Sequence, residues 1–302
     1  MKKAIIFPGQ GSQYSGMGRE LYDNSPRARD IFHKIDEICG FSLSSKCFEA
    51  GADELKDTSV QQLAILAVSI AAFEVFRESR DIDIDFLSGL SLGEYTCIYA
   101  GGVVSLEDVI VLVRERAAAM ADAGCRNPSA MLAIIGIERK RLQQLAEEIG
   151  FFIANINSPN QVVISLSRSE KEKIKGALEP ECSRIVELDV SGGFHSPFMD
   201  PAKNYLENVM SSLEFRDSSV PIVSNFTSRP HIKASEIKNN LLKQLVSPVL
   251  WNDCVEYMTG EGVGVLFEIG PSKVLRGLVR KIRPGLKVVN IEKNKDLENL
   301  DI

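Results

Sequence analysis

The sequence predicts an α/β fold: a large layer built on a parallel sheet, carrying a small inserted unit of order βαββαβ. Three observations lead there. A short, mostly apolar run at 84–87 passes through Gly89-Leu90-Ser91-Leu92-Gly93 into helix-compatible residues 94–100, so a strand turns sharply into a helix. Helical patterns flank that turn on both sides. From residue 131 the texture changes to a compact alternation of short β and α segments, after which the longer α/β pattern resumes.

Taken in order, residues 3–7 read as an apolar strand, ended by Pro8-Gly9-Gln10-Gly11-Ser12-Gln13, a loop of small residues and side-chain amides. Helical patterns follow at 28–38, 60–78 and 106–121, the last preceded by Ser105 and carrying acidic residues in its first turn. The apolar stretch 63–75 is interrupted by Ser69 and Glu74, so it reads as a buried helix that falls short of a membrane span. The strand before the elbow is expected at the centre of the parallel sheet. Strand 131–137, helix 139–149, strands 152–157 and 161–166, helix 169–178 and strand 183–190 then give the ferredoxin-like order. This unit is expected to span 128–193, with 1–127 and 194–302 forming the large subdomain. A helix around 201–212, a strand at 220–224, a helix at 235–245, strand 263–269, helix 274–282 and strand 287–291 complete the large layer, and the charged tail from Glu292 is expected to fray.

The 302 residues suffice for one large domain or a large domain with a smaller one. A net charge of −6 argues against a nucleic-acid binder, which needs concentrated basic charge to neutralise phosphates. Six cysteines without any C-x-x-C pair suggest reduced structural thiols, with no zinc knuckle or disulfide framework. The first residues, Met1-Lys2-Lys3-Ala4-Ile5-Ile6-Phe7-Pro8, hold too short an apolar region for a secretory signal, and a cytoplasmic protein is expected.

The G-x-S-x-G spacing on a strand-to-helix turn is that of a nucleophile elbow, the α/β-hydrolase-like device in which glycines relieve crowding and Ser91 projects at a helix N-terminus. A serine hydroxyl needs a neighbouring base, most often histidine. His33 sits in a charged helical stretch and His231 in the turn-like Arg229-Pro230-His231-Ile232, and both are expected at the surface. His195, in Val190-Ser191-Gly192-Gly193-Phe194-His195-Ser196-Pro197, lies where the small unit rejoins the large one, a common place for a cleft, and is the favoured base. Arg114 and Arg116 are two positions apart on one helix and face different ways; a lone arginine on a surface helix is ordinarily solvated or ion-paired.

Five motifs, Phe7-Pro8-Gly9-Gln10-Gly11-Ser12-Gln13, Gly89-Leu90-Ser91-Leu92-Gly93-Glu94, Arg116-Ala117-Ala118-Ala119-Met120, Gly193-Phe194-His195-Ser196 and Glu268-Ile269-Gly270-Pro271, occur in the order seen in malonyl-CoA:acyl-carrier-protein transacylases. The chain resembles that family over nearly its whole length. The resemblance implies that Ser91 takes the acyl group from coenzyme A as an ester, with His195 as general base and then general acid, and with the backbone N–H groups of Gln10 and Leu92 as oxyanion hole. It makes Arg116 the partner of malonate's free carboxylate, a role suited to a planar fork that stays charged when buried. It places Gln62 in the pocket wall, although the family's following proline is Leu63 here and a surface glutamine is the alternative. Asn157 would face the cleft from the small unit, its simpler role being to cap the Ser158-Pro159 turn. The backbone carbonyl of Leu250 would orient His195, so no aspartate is required. Leu90 stands where many relatives have histidine, a change that removes no catalytic group.

The partners implied are malonyl-CoA and the phosphopantetheine thiol of acyl carrier protein, with no metal, bound cofactor, nucleic acid or membrane. The same framework serves free-standing acyltransferases of polyketide synthesis. An editing acyl hydrolase would be expected to carry a neutral residue at Arg116, and a catalytically silent carrier-binding protein to have lost Ser91 or His195. Since carriers are typically acidic and so is this chain, docking is expected on a local basic cluster, Lys273, Arg276, Arg280, Lys281 and Arg283, or failing that around Lys171, Lys173 and Lys175.

Overall fold

The computed structural model describes residues 1–51 and 54–298. Ten strands and thirteen α-helices are described, with four short 3-10 turns. The first part of the chain gives Lys2–Phe7 (β1), Arg19–Asn24 (α1), Pro26–Cys39 (α2), Leu43–Glu49 (α3), Thr58–Ser79 (α4), Phe86–Gly89 (β2), Gly93–Ala100 (α5) and Leu106–Arg126 (α6). The middle gives Ser129–Ile135 (β3), Arg139–Ile149 (α7), Phe152–Ser158 (β4), Gln161–Ser167 (β5), Lys171–Leu178 (α8) and Arg184–Glu187 (β6). The last part gives Asp200–Ser211 (α9), Ile222–Val223 (β7), Pro230–His231 (β8), Ala234–Gln244 (α10), Trp251–Gly260 (α11), Val263–Ile269 (β9), Val274–Ile282 (α12), Lys287–Ile291 (β10) and Asn294–Glu298 (α13).

The large sheet runs β10-β9-β1-β2-β7-β8 and is parallel except for β8, which pairs antiparallel with β7. The elbow strand β2 therefore lies between β1 and β7, as its apolar run predicts. Phe7 is in register with Gly89, so β1 and β2 end level and the loop after β1 comes over beside the elbow. Parallel strands of this kind direct their C-terminal ends to one edge, where sites are built.

The small sheet runs β4-β5-β3-β6 with every pair antiparallel, and with α7 and α8 it has the predicted βαββαβ order. Period-two alternation gives it two faces. Leu132 and Ile134 of β3 pack with Leu142, Leu145, Ile174 and Leu178 of its helices, while Met131 and Ala133 join the main core.

Four expectations are corrected. Helix α4 is long and apolar enough to cross a membrane, but 89% of its most apolar window is buried, as in a core helix. Its one carboxylate there, Glu74, is held by Arg27, Arg77 and the Tyr99 hydroxyl. The tail does not fray at Glu292: that side chain accepts from Tyr14 and from the Ser272 N–H, and Leu297 of α13 is buried. The frayed-tail expectation for 299–302 lies outside the described residues. Strand 183–190 narrows to Arg184–Glu187 and strand 220–224 to Ile222–Val223. Helices α1, α3 and α11 are additions, and α11 carried a signal in Trp251, Cys254, Val255 and Met258, spaced at i, i+3, i+4 and i+7.

Candidate active site

The elbow exists because three backbones touch there. A Cβ on Gly89 would sit 2.1 Å from the Gly93 carbonyl carbon, and one on Gly93 would sit 2.2 Å from the Phe7 oxygen. Only glycine fits either place. Between them Ser91 adopts φ 52°, a left-handed conformation that costs a non-glycine residue energy and needs outside support. Asn225, fully buried just after β7, supplies it: the Ser91 N–H donates to Asn225 Oδ1 at 2.7 Å, and Asn225 Nδ2 donates to the Gly89 oxygen at 2.8 Å. Nothing local in the sequence singled out Asn225.

His195 also has a left-handed backbone, φ 56°, in the loop that returns from the small unit. That loop is pinned by Ser129 Oγ accepting from the Gly193 N–H at 2.7 Å, by Ser165 Oγ donating to the Phe194 oxygen at 2.6 Å and by Ser196 Oγ donating to the Gly193 oxygen. His195 Nε2 lies 2.8 Å from Ser91 Oγ, and Nδ1 lies 2.8 Å from the main-chain oxygen of Gln244. A carbonyl only accepts, so Nδ1 carries the proton and Nε2 is left to accept from the serine. Burial pushes the imidazole down to about 4, the Gln244 carbonyl opposing and the Arg116 charge adding to the fall.

The orienting carbonyl is thus that of Gln244, which corrects the assignment to Leu250. Helix geometry gives the reason. Gln244 is the last residue of α10, where carbonyls have no partner within the helix. Leu250 precedes α11, and its carbonyl is engaged by the Cys254 N–H in the first turn.

Arg116 comes from α6 and is fully buried. Its Nη1 donates to Gln62 Oε1 at 2.6 Å and its Nη2 to Ser91 Oγ at 3.1 Å, and the guanidinium lies over the Tyr95 ring, 4.8 Å from the centroid. Its Nε has no partner, and no carboxylate pairs with the guanidinium among the described residues. Gln62, on α4, is likewise fully buried, so the solvated alternatives for both side chains fall away. Arg114 faces outward and pairs with Glu115.

Gln10 and Ser91 open onto one cleft of about 140 Å³, shared with Leu90, Asn157, Phe194 and His195. The backbone N–H groups of Gln10 and Leu92 have no hydrogen-bond partner among the described residues. Gln10 is steadied by its side chain, which donates to Gln61 Oε1 at 2.6 Å. Asn157 stands within β4 on the cleft wall, with Oδ1 buried and unpartnered, rather than in the turn. His33 is exposed beside the Tyr22 hydroxyl, whereas His231 is half-buried between Thr227 and Glu236. No group of three or more metal-ligating side chains occurs among the described residues.

A strained serine sharing a proton path with a buried, singly tethered histidine on an α/β elbow has the geometry of enzymes that work through acyl-serine chemistry. The chain belongs to the acyl transferase domain family, whose model matches residues 4–295, and it is an acyltransferase. It is 39% identical to the malonyl CoA-acyl carrier protein transacylase of Bacillus subtilis (strain 168), over 98% of this chain and 95% of the relative. A Staphylococcus aureus (strain MRSA252) protein of the same name is 33% identical, over 98% and 97%. Among solved structures, the acyl-carrier-protein-S-malonyltransferase from Bartonella henselae superposes with TM-score 0.94 at 34% identity, covering 99% of this chain and 98% of that one. A malonyl-transacylase solved in complex with its type II PKS acyl-carrier protein gives TM-score 0.95 at 32% identity, with 99% and 98% coverage.

Proposed function

We propose that the protein moves malonyl from malonyl-CoA to the phosphopantetheine thiol of an acyl carrier protein in two half-reactions through malonyl-Ser91. The observation that carries the substrate is Arg116. A buried guanidinium with no carboxylate in ion-pair contact, the Glu94 charge reaching it only at longer range, is costly, and a substrate carboxylate arriving beside Ser91 offsets that cost. A hydrolase of neutral acyl chains has no use for such a group.

In the first half-reaction Ser91 Oγ attacks the thioester carbonyl while its proton passes to His195 Nε2. The developing oxyanion is received by the free amides of Gln10 and Leu92. Collapse breaks the C–S bond, and the departing thiolate takes the proton from His195. The second half-reaction runs this in reverse: the carrier thiol gives its proton to His195, the thiolate attacks the ester, and Ser91 leaves with the proton. Gln62 holds the guanidinium for the malonyl carboxylate, and Asn157 offers its unpartnered amide oxygen to the thioester-bearing arm. One thioester replaces another, so little driving force is needed and the task is to admit a thiol while excluding water, for which the apolar Leu90 and Phe194 in the cleft wall are suited.

A polyketide carrier is a second acceptor of the same chemistry, favoured by the likeness to the transacylase solved with its type II PKS carrier. We place the protein in the cytoplasm. The test is intact-mass spectrometry after mixing with malonyl-CoA and no carrier: wild type gains a malonyl adduct and Ser91→Ala does not. Transfer to carrier without any adduct overturns the acyl-serine route.

A further inference from the structure

Glu94 is a buried carboxylate that the acyl-transfer steps leave unused. It lies three residues beyond Ser91 in the first turn of α5 and is 2% exposed. An acidic side chain there would ordinarily be explained by the helix dipole. This one turns inward instead. Its Oε2 accepts from Gln244 Nε2, and the same amide nitrogen donates to the Ser91 main-chain oxygen at 3.1 Å. Gln244 is also the residue whose main-chain oxygen holds His195 Nδ1. The Asn225 backbone and the Ser224 side chain favour the charged form of the carboxylate, and the Asn225 side chain is the clamp on Ser91. Burial raises Glu94 to about 7 against the pull of these donors, so the group is kept at some cost in a place where an apolar side chain would be simpler.

We propose that Glu94 is a positioning residue for both reacting side chains: by holding the Gln244 side chain against the Ser91 carbonyl it fixes the Gln244 peptide, whose oxygen sets the tautomer and direction of His195. The inference rests on Ser91 and His195 being nucleophile and base. In a Ser-His-Asp triad the carboxylate touches the imidazole itself. Here it acts one residue removed, through the Gln244 amide that joins it to the Ser91 main chain. Without Glu94 the Gln244 amide would be a partly unpaired buried donor, free to rotate away from Ser91.

The test is a double-mutant cycle on Glu94→Met, which removes the acceptor, and Gln244→Met, which keeps side-chain length and the main-chain carbonyl while removing the donor. Single-turnover acylation by malonyl-CoA is followed by mass, KM is measured, and melting gives the folded fraction. Each single variant is expected to slow maximal acylation by roughly 10- to 100-fold with KM unchanged, since misplacement of reacting groups is felt in the rate. The double variant is expected to be no slower than the worse single one, because both cut the same tether. Fully multiplicative losses, or wild-type acylation per folded molecule in either variant, overturn the proposal. If Glu94→Met does not fold, Gln244→Met alone decides by the same rate and KM criteria. Absence of an adduct on wild type is a separate result, which removes the acyl-serine reading instead.

Discussion

Arg116 donates to the oxygen of Ser91 at 3.1 Å, on the same Oγ that faces His195 at 2.8 Å. The serine thus has its proton directed at the base and a lone pair held by a cation, and a cation on that lone pair weakens it as a nucleophile. In the proposed reaction a malonyl carboxylate would draw the guanidinium onto itself and free that lone pair. On that proposal, substrate recognition and activation of Ser91 are a single event.

Replacing Arg116 with Ala should lower kcat/KM for malonyl-CoA by on the order of 2–5 kcal/mol, the range for truncating a buried charge-assisted pair. Acetyl-CoA has no carboxylate to lose and should suffer less. The measurement is the rate of Ser91 acylation with each donor. Equal losses for the two would assign Arg116 a structural role and sink the carboxylate-reading one.

The pH profile follows from His195. Burial, with the Arg116 charge, holds the imidazole at about 4, so the neutral base persists far below its ordinary titration near 6.5. kcat/KM for malonyl loading, which reports the free enzyme, should therefore lose its His195-dependent part only as pH falls through about 4. A bound malonyl carboxylate cancels part of the Arg116 charge and lets the imidazole titrate higher, so the acid limb of kcat should lie above that of kcat/KM. A step near 7 belongs to Glu94 and should disappear in Glu94→Gln. A kcat/KM limb at 6.5 that survives that substitution would mean a solvated imidazole.

Glycines in this chain separate by what surrounds them. Gly93→Ala would place its Cβ 2.2 Å from the Phe7 oxygen, so β1 or the elbow must move. Overpacking of this kind costs about 1–3 kcal/mol, and Ser91 acylation should fall with it. Gly277, inside α12 with nothing within 4 Å of its Cβ position, should tolerate alanine and gain up to ~1 kcal/mol from helix propensity. Melting of the two variants checks both signs, and equal effects would contradict the elbow geometry.

The parts of the site legible in the sequence are those whose side chains do the chemistry or whose backbone tolerates one residue type. Ser91 was readable because two glycines and a strand-to-helix change surround it, and the small unit because its apolar period switches between two and 3.6. Asn225, in the loop after β7, and Gln244, at the end of α10, stand 134 and 153 residues from Ser91, and only the folded chain brings them to it. The Leu250 assignment failed for a related reason. Every residue has a carbonyl, so nothing in a side chain says which one a histidine will use. The outcome depends on which helix ends and which begins: α10 ends at Gln244, leaving its carbonyl open, and α11 begins after Leu250, using that carbonyl.

Carrier docking is the last expectation that the structure sharpens. Of the basic residues around α12, Arg283 pairs with Glu256, and Arg276 is half-buried against Asn290. Lys273, Arg280 and Lys281 remain exposed without an ion-pair partner among the described residues. The alternative cluster is largely neutralised, Lys171 by Glu187 and Lys173 by Glu170. Helix α12 packs against α11, β10 and β4, the strand that carries Asn157. Against an acidic carrier such exposed charges act chiefly on the association rate and weaken with salt. Reversing Arg280 and Lys281 to Glu should slow malonyl transfer to subsaturating carrier and flatten its salt dependence. Formation of malonyl-Ser91 from malonyl-CoA should stay at the wild-type rate, because neither residue lines the cleft. Wild-type transfer by the double reversal would move the docking surface off α12, whereas slowing of both half-reactions would show that the substitutions had disturbed the site itself.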